Sequence, residues 1–254
     1  MYPILFSFGR LNVYSHGLMM AIGAIAGGLV IFYLAKRKNL ETNFVLDLCV
    51  YTLLAGIIGS RILYVVLYFN QFQNFREVFF IWYGGLVSYG GIAGGFLFAY
   101  LYLKAKKQSI LKWFDIGIIG LLIGWAFGRV GCLLNGDSFG LISQSKIAIW
   151  GRIPTQVFES MWVIIAATLC YMGLGFKEKR QLPDGIIFIS GLGLYALGRF
   201  VIDFYRDEPT IIWFLKGSQV GSLIIFILAI LAILYLIKKN ISTKLETRRP
   251  DGSF

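Results

Sequence analysis

Hydrophobic residues fall in seven long runs separated by short polar stretches, at about 14–35, 44–69, 85–103, 113–133, 157–175, 185–203 and 218–237. A bilayer core of about 30 Å needs roughly 20 apolar residues per helical span, and each run is close to that length. The pattern predicts an all-α integral membrane protein: seven transmembrane helices in a single polytopic membrane domain over 1–254. The first run is longer than a cleavable signal and lacks its usual basic flank, so no signal peptide is expected.

Composition agrees. The chain is 57% hydrophobic and only 15% charged, whereas soluble domains run near a quarter charged. A net charge of +11 would suggest nucleic acid in a soluble protein. Here the basic residues sit in short clusters between apolar runs, as in cytoplasmic loops, so no nucleic-acid partner is expected.

Those clusters orient the chain. Lys36, Arg37, Lys38, Lys104, Lys106, Lys107, Lys112, Lys177, Lys179, Arg180, Lys238, Lys239, Lys244, Arg248 and Arg249 fall on one side. Only Arg10, Arg76, Lys146, Arg152, Arg206 and Lys216 fall on the other. The positive-inside rule places the N-terminus outside and the C-terminus in the cytoplasm.

The remaining basic residues, Arg61, Arg129 and Arg199, lie within the second, fourth and sixth runs, each after a small residue. An arginine inside a span costs roughly 2.5–3.5 kcal/mol on insertion scales and needs a partner or a task. In this orientation all three lie in the outer-leaflet half. So do His16, Tyr89, Gln156 and Glu159, at the starts of inward-running spans. Snorkelling, or ion pairs with Asp203 or Glu159, would account for the arginines without a site. Arg199 and Asp203, four residues apart, share a helix face, which makes Asp203 a candidate counter-ion. Convergence of so many polar groups on one layer instead predicts a buried polar site.

Its centre is Gly128 to Gly140, where an apolar run ends in arginine and then turns polar and glycine-rich. Glycines let backbone approach a ligand closely, and polar backbone at that depth is tolerated only inside protein or beside a cavity. Other features have plainer readings. Cys49, Cys132 and Cys170 lie far apart in apolar runs; two of them read as small packing residues, and Cys132 is either packing or part of the site. The single histidine excludes a His-rich metal site, and the cysteines show no metal-ligand spacing. The glycines of Tyr83 to Gly95 mimic a dinucleotide loop but lack its strand, and pairing of Gly90 with Gly94 and Gly91 with Gly95 suits close helix packing. Asp47 and Asp115 read as helix-start charges, and Trp82, Tyr83, Trp150 and Trp213 as an interfacial belt.

Six stretches, in order and spacing, resemble the prolipoprotein diacylglyceryl transferase family. They are Gly59 to Tyr64, Gly84 to Gly91, Gly128 to Gly140, Pro154 to Glu159, Gly198 to Arg206 and Ser218 to Ser222. Four positions depart from the usual family residues: His16 for Tyr, Tyr89 for His, Cys132 for Asn and Asp137 for Glu.

The resemblance implies transfer of the diacylglyceryl group of phosphatidylglycerol to the lipobox cysteine of prolipoprotein signal peptides, without metal or cofactor. It further implies a multi-pass protein of the bacterial cytoplasmic (inner) membrane, meeting membrane lipids, with its active site towards the outer face. Arginines suit an anionic phosphodiester and a leaving phosphate. Arg129 and Arg199, with Arg61 a weaker third, are expected at the lipid, together with Gly140, Gln156, Glu159 and Asp203. The attacking thiol must lose a proton, and either His16 or Tyr89 is the candidate base. Asn135 and Asp137 are expected to orient glycerol hydroxyls or an arginine. Two other readings stand beside this one: a divergent paralogue that binds lipid without transfer, and an anionic-metabolite transporter, which would ordinarily show inverted repeats.

Overall fold

The computed structural model describes residues 1–8, 11–72, 74–81 and 84–246. Arg10, Trp82, Tyr83, Arg248 and Arg249, which entered the charge and belt expectations, lie outside the described residues.

A hairpin opens the chain, with β1 (Ile4–Phe8) antiparallel to β2 (Leu11–Tyr14). The helices are α1 (Ser15–Arg37), α2 (Val45–Leu67), α3 (Ser88–Ala105), α4 (Ile110–Asn135), α5 (Thr155–Arg180), α6 (Ile186–Ile202) and α7 (Gly217–Glu246). A second small hairpin, β3 (Thr210–Ile212) with β4 (Leu215–Lys216), lies between α6 and α7. Each helix falls on one expected apolar run. The hairpins were not expected, because strands of two to five residues leave no periodic signal.

Among the described residues, six helices are long and apolar enough to cross a membrane; α3 is not among them. Its 18 residues include four glycines, three tyrosines and Lys104, which dilute its hydropathy. Helices α5 and α7 extend past their expected ends at 175 and 237, because their Lys- and Glu-bearing termini remain good helix formers beyond the apolar stretch. The last turn of α5 carries Lys177, Lys179 and Arg180, which complement the negative end of its dipole.

The chain divides into two compact units: Met1–Leu34 with Phe114–Phe254, and Ala35–Trp113. In the first unit, the buried core comes from Ile116, Ile119, Leu122 and Ala126 of α4 and Val163, Ala166, Ala167 and Cys170 of α5, with Ile186 and Ile187 of α6. Lipid tails are as apolar as leucine, so helices in a bilayer associate through close packing of small residues. Helix α1 meets α4 in this way: a Cβ on Gly23 would come 2.7 Å from the Gly124 carbonyl oxygen. Leu29, Leu228 and Leu231, by contrast, are exposed, as lipid-facing positions should be.

Asp115 is buried and does more than start its own helix. Its Oδ2 accepts from Lys177 Nζ (2.7 Å) and from the Gly185 N–H (2.9 Å), and its Oδ1 accepts from the Phe188 N–H (2.8 Å). A carboxylate from α4 thus caps the N-terminus of α6, answering donors that a helix start leaves unsatisfied.

The second unit pairs α2 with α3. Gly59 lies against Gly90 and Gly94, and Gly94 against Ala55, each with no room for a side chain. Between these helices lie 3₁₀ turns at Phe69–Gln71 and Phe75–Phe79 and the Gly84–Val87 segment, whose two glycines have positive φ.

Candidate functional site

Helix α4 ends with Gly136 in the left-handed conformation (φ 85°), and the N–H groups of Gly136 and Asp137 return to the Cys132 carbonyl at 2.9 and 3.1 Å. The turn delivers Asp137 beside Asn135, whose Nδ2 donates to Asp137 Oδ2 at 2.7 Å. The chain then runs as a strap over the start of α5. Gln156 Nε2 donates to the Asp137 carbonyl (2.5 Å), Thr155 Oγ1 to the Ser138 carbonyl (2.9 Å), and the Gly140 N–H to the Ile153 carbonyl (2.9 Å). Gly140 is pressed against the carbonyls of Tyr205 and Ile153, so a side chain there would push the strap away.

Beneath the strap lies an ion network centred on Glu159, which is 3% exposed. Its Oε2 is 2.6 Å from Arg129 Nε, and its Oε1 is 3.0 Å from Arg199 Nη1 and 2.9 Å from Arg206 Nη2. Buried Asp203 adds a second bridge, 3.2 Å from Arg199 Nε and 3.3 Å from Arg206 Nε. Glu208 closes the set, 2.8 Å from Arg206 Nη1. Three guanidinium groups thus face three carboxylates, and Arg129 also lies over the Trp125 ring at 5.1 Å. Burial works against ionisation of Glu208. The hydrogen bond and charge of Arg206, helped by Ser218 Oγ, outweigh it and hold the carboxyl below the usual glutamate range. A cavity of about 360 Å³ adjoins the network, lined by Gly136, Ser138, Phe139, Arg206 and Glu208 among others.

Arg206 and Lys216 had been counted as outer-loop charges. Both are buried. Lys216 Nζ donates to the carbonyls of Asp203, Phe204 and Arg206, satisfying the end of α6. The signal for Arg206 was present in the spacing: it lies three residues after Asp203 and seven after Arg199, on one helical face.

A second cluster adjoins the network. Half-buried His16, in the first turn of α1, places Nδ1 3.8 Å from Cys132 Sγ, which in turn is 4.0 Å from Arg129 Nη1. Cys132 is buried, with this imidazole and this guanidinium as polar neighbours. The hairpin β1–β2 sets the start of α1: the Ser15 N–H donates to the Pro3 carbonyl (2.9 Å), and the Tyr2 N–H to the Leu134 carbonyl of α4 (2.8 Å).

The structure thus gathers Arg129, Arg199, Glu159 and Asp203 into one network and His16, Asn135 and Asp137 into a neighbouring cluster, with Gln156 and Gly140 in the strap. Arg61 and Tyr89 belong to the other unit. Tyr89, in the first turn of α3, is 76% exposed. Arg61 was expected at the lipid, yet its guanidinium donates to five backbone carbonyls of its own unit: Val78, Gly84, Gly85, Glu77 and Phe80. It holds the segment leading into α3 in place.

The family model described as prolipoprotein diacylglyceryl transferase matches residues 3–235. A phosphatidylglycerol–prolipoprotein diacylglyceryl transferase of Clostridium botulinum (strain Langeland) is 32% identical over 255 residues, covering 94% of this chain and 99% of that protein. One from Clostridioides difficile (strain 630) is 32% identical over 248 residues, covering 93% and 96%. A Clostridium perfringens protein, the transferase numbered 1 in that organism, is 31% identical, covering 94% and 96%.

Proposed function

The chain belongs to the prolipoprotein diacylglyceryl transferase family and is a transferase of the first step of lipoprotein maturation; from that premise we propose how its residues divide the reaction. The donor is phosphatidylglycerol and the acceptor a lipobox cysteine thiol of a prolipoprotein signal peptide. The thiol sulfur attacks the glyceryl carbon, a C–S bond forms as the C–O bond to phosphate breaks, and glycerol 1-phosphate leaves with the electron pair. The thiol proton passes to a base, His16 or Tyr89.

Arg129 and Arg199 hold the phosphodiester and the charge that grows on the leaving phosphate, with Arg206 beside them. Fixed guanidinium groups in a low-dielectric site stabilise such charge without reorganising. Glu159 engages Arg129 through Nε, so the Nη nitrogens are those offered to phosphate. Asn135 and Asp137 orient the glycerol hydroxyls, and the strap through Gly140 and Gln156 closes the site. The observation that carries this reading is the gathering of Arg129, Arg199 and Arg206 on the single carboxylate of Glu159. That is an anion-binding centre at the end of apolar helices.

In this reading the chain from 1 to 254 is one polytopic membrane domain in the bacterial cytoplasmic membrane, with α3 a seventh span. The N-terminus is outside, the C-terminus cytoplasmic, and the site lies in the outer-leaflet half. Both substrates are membrane-tethered and arrive laterally. The test is to incubate the purified protein in phosphatidylglycerol micelles with a lipobox peptide and measure glycerol phosphate release. Cysteine-dependent release, lost in Arg129→Ala, supports the reading; no release from folded wild type that still binds lipid turns it towards a non-transferring paralogue.

A further inference from the structure

We propose that His16, Cys132 and Asp137 form a binding site for a borderline-soft divalent cation of the zinc type. One donor atom from each lies within 4.8 Å of the others, and among the described residues no other trio of His, Cys, Asp or Glu gathers this way. An imidazole nitrogen, a thiolate and a carboxylate oxygen are the ligand kinds zinc takes, at about 2.0–2.3 Å from the metal. Bonds of that length in a tetrahedron space the donors roughly 3.5 Å apart. The observed 3.8 Å between His16 Nδ1 and Cys132 Sγ is close to that spacing. Three protein ligands leave a fourth position for water or an incoming group, as in open zinc sites.

Three separate elements build the site, so no local ligand motif announces it. His16 comes from the first turn of α1, Cys132 from the last turn of α4, and Asp137 follows the left-handed Gly136. Gly131 lets the imidazole lie against α4: a Cβ there would be 3.2 Å from His16 Cα and 3.3 Å from its Nδ1. Asn135 Nδ2, bonded to Asp137 Oδ2 at 2.7 Å, is the outer partner that orients a ligating carboxylate. Arg129 Nη1 lies 4.0 Å from the sulfur. Its charge, which opposes a cation, is countered by Glu159 at 2.6 Å. Cys132 is buried while His16 and Asp137 are half-buried, which leaves an ion a way in. The proposal gives His16 and Asp137 a second part, as metal ligands, beside those they have in the transferase reading, and its cobalt readout does not depend on transfer.

The test is a cobalt(II) titration of the full chain in detergent and lipid, read by absorption. Expected is a sulfur-to-cobalt charge-transfer band with the strong visible bands of four-coordinate cobalt, saturating at a single equivalent and displaced by zinc. A Cys49→Ser, Cys170→Ser double variant keeps the band, and Cys132→Ser abolishes it. His16→Ala and Asp137→Ala weaken affinity by more than about tenfold, and Asn135→Ala by about tenfold. No charge-transfer band from folded wild type overturns the proposal. So does a band that persists in Cys132→Ser, which would assign the metal to another thiol.

Discussion

Arg199 and Arg206, seven residues apart, converge on a single atom: Oε1 of Glu159 lies 3.0 Å from Nη1 of the first and 2.9 Å from Nη2 of the second. Two cations meet at one oxygen only because the carboxylate is charged, and Arg129 takes its other oxygen. Removing that charge while keeping the shape should leave Arg129 without a carboxylate, and Arg199 and Arg206 with only Asp203 and Glu208. Glu159→Gln is therefore expected to lose about 3–5 kcal/mol of stability, read as a large drop in thermal midpoint in detergent. An unchanged midpoint would mean the network contributes nothing to the fold.

Arg129 offers a planar fork that lysine cannot copy. Arg129→Lys keeps the charge but loses paired hydrogen bonds to phosphate. It should lower kcat for lipid transfer by roughly a hundredfold with little change in melting. Near-normal kcat in the lysine variant would assign Arg129 a purely coulombic part.

Gly198 precedes Arg199 and lies against the indole of Trp162, where a Cβ would overlap the ring. The indole is itself fixed, its Nε1 donating to the Leu194 carbonyl at 2.7 Å. Gly198→Ala should therefore cost about 1–3 kcal/mol through overpacking and reduce transfer by displacing Arg199. Trp162→Phe on that background should restore part of both; failure to restore either would place the damage elsewhere.

The Glu208 carboxyl sits below its ordinary value of 4.5 because Arg206 favours its charged form. A group depressed on folding stabilises above its unfolded pKa and loses that contribution as pH falls through the folded one. The difference in melting between wild type and Glu208→Gln should thus be constant near neutrality and shrink only below about pH 4.5. A difference that vanishes nearer neutrality would contradict the Arg206 pairing.

Arg61→Lys has three N–H donors to set against five carbonyls. The segment from Glu77 to Gly85 should become more open to limited proteolysis while α2 and α3 stay intact. Equal cleavage in wild type and variant would show that the arginine is dispensable there.

The helices were legible because burial in lipid demands apolar length, and length is written in the chain. Arg129, Arg199, Glu159 and Asp203 were legible for the opposite reason, as charges where apolar residues belong. Arg206 and Lys216 escaped because they follow the apolar run of α6 and look like loop charges until the hairpin β3–β4 folds them inward. Asp115 was read from its own helix, whereas its partners stand on α5 and α6. Cys132 reads either way from sequence because its neighbour, His16, is 116 positions away.

The two ion pairs joining α4 to α5 have a consequence for how the protein is built. Helix α4 carries Asp115 near its start and Arg129 near its end; α5 carries Glu159 near its start and Lys177 near its end. Only an antiparallel pairing in one register matches both, since a parallel one would set acid beside acid and base beside base. Without α5, helix α4 would carry Asp115 and Arg129 without these partners, and α5 supplies both. The register of α5 is thereby tied to that of α4: a slip of one turn, about 5.4 Å, would break both bridges together.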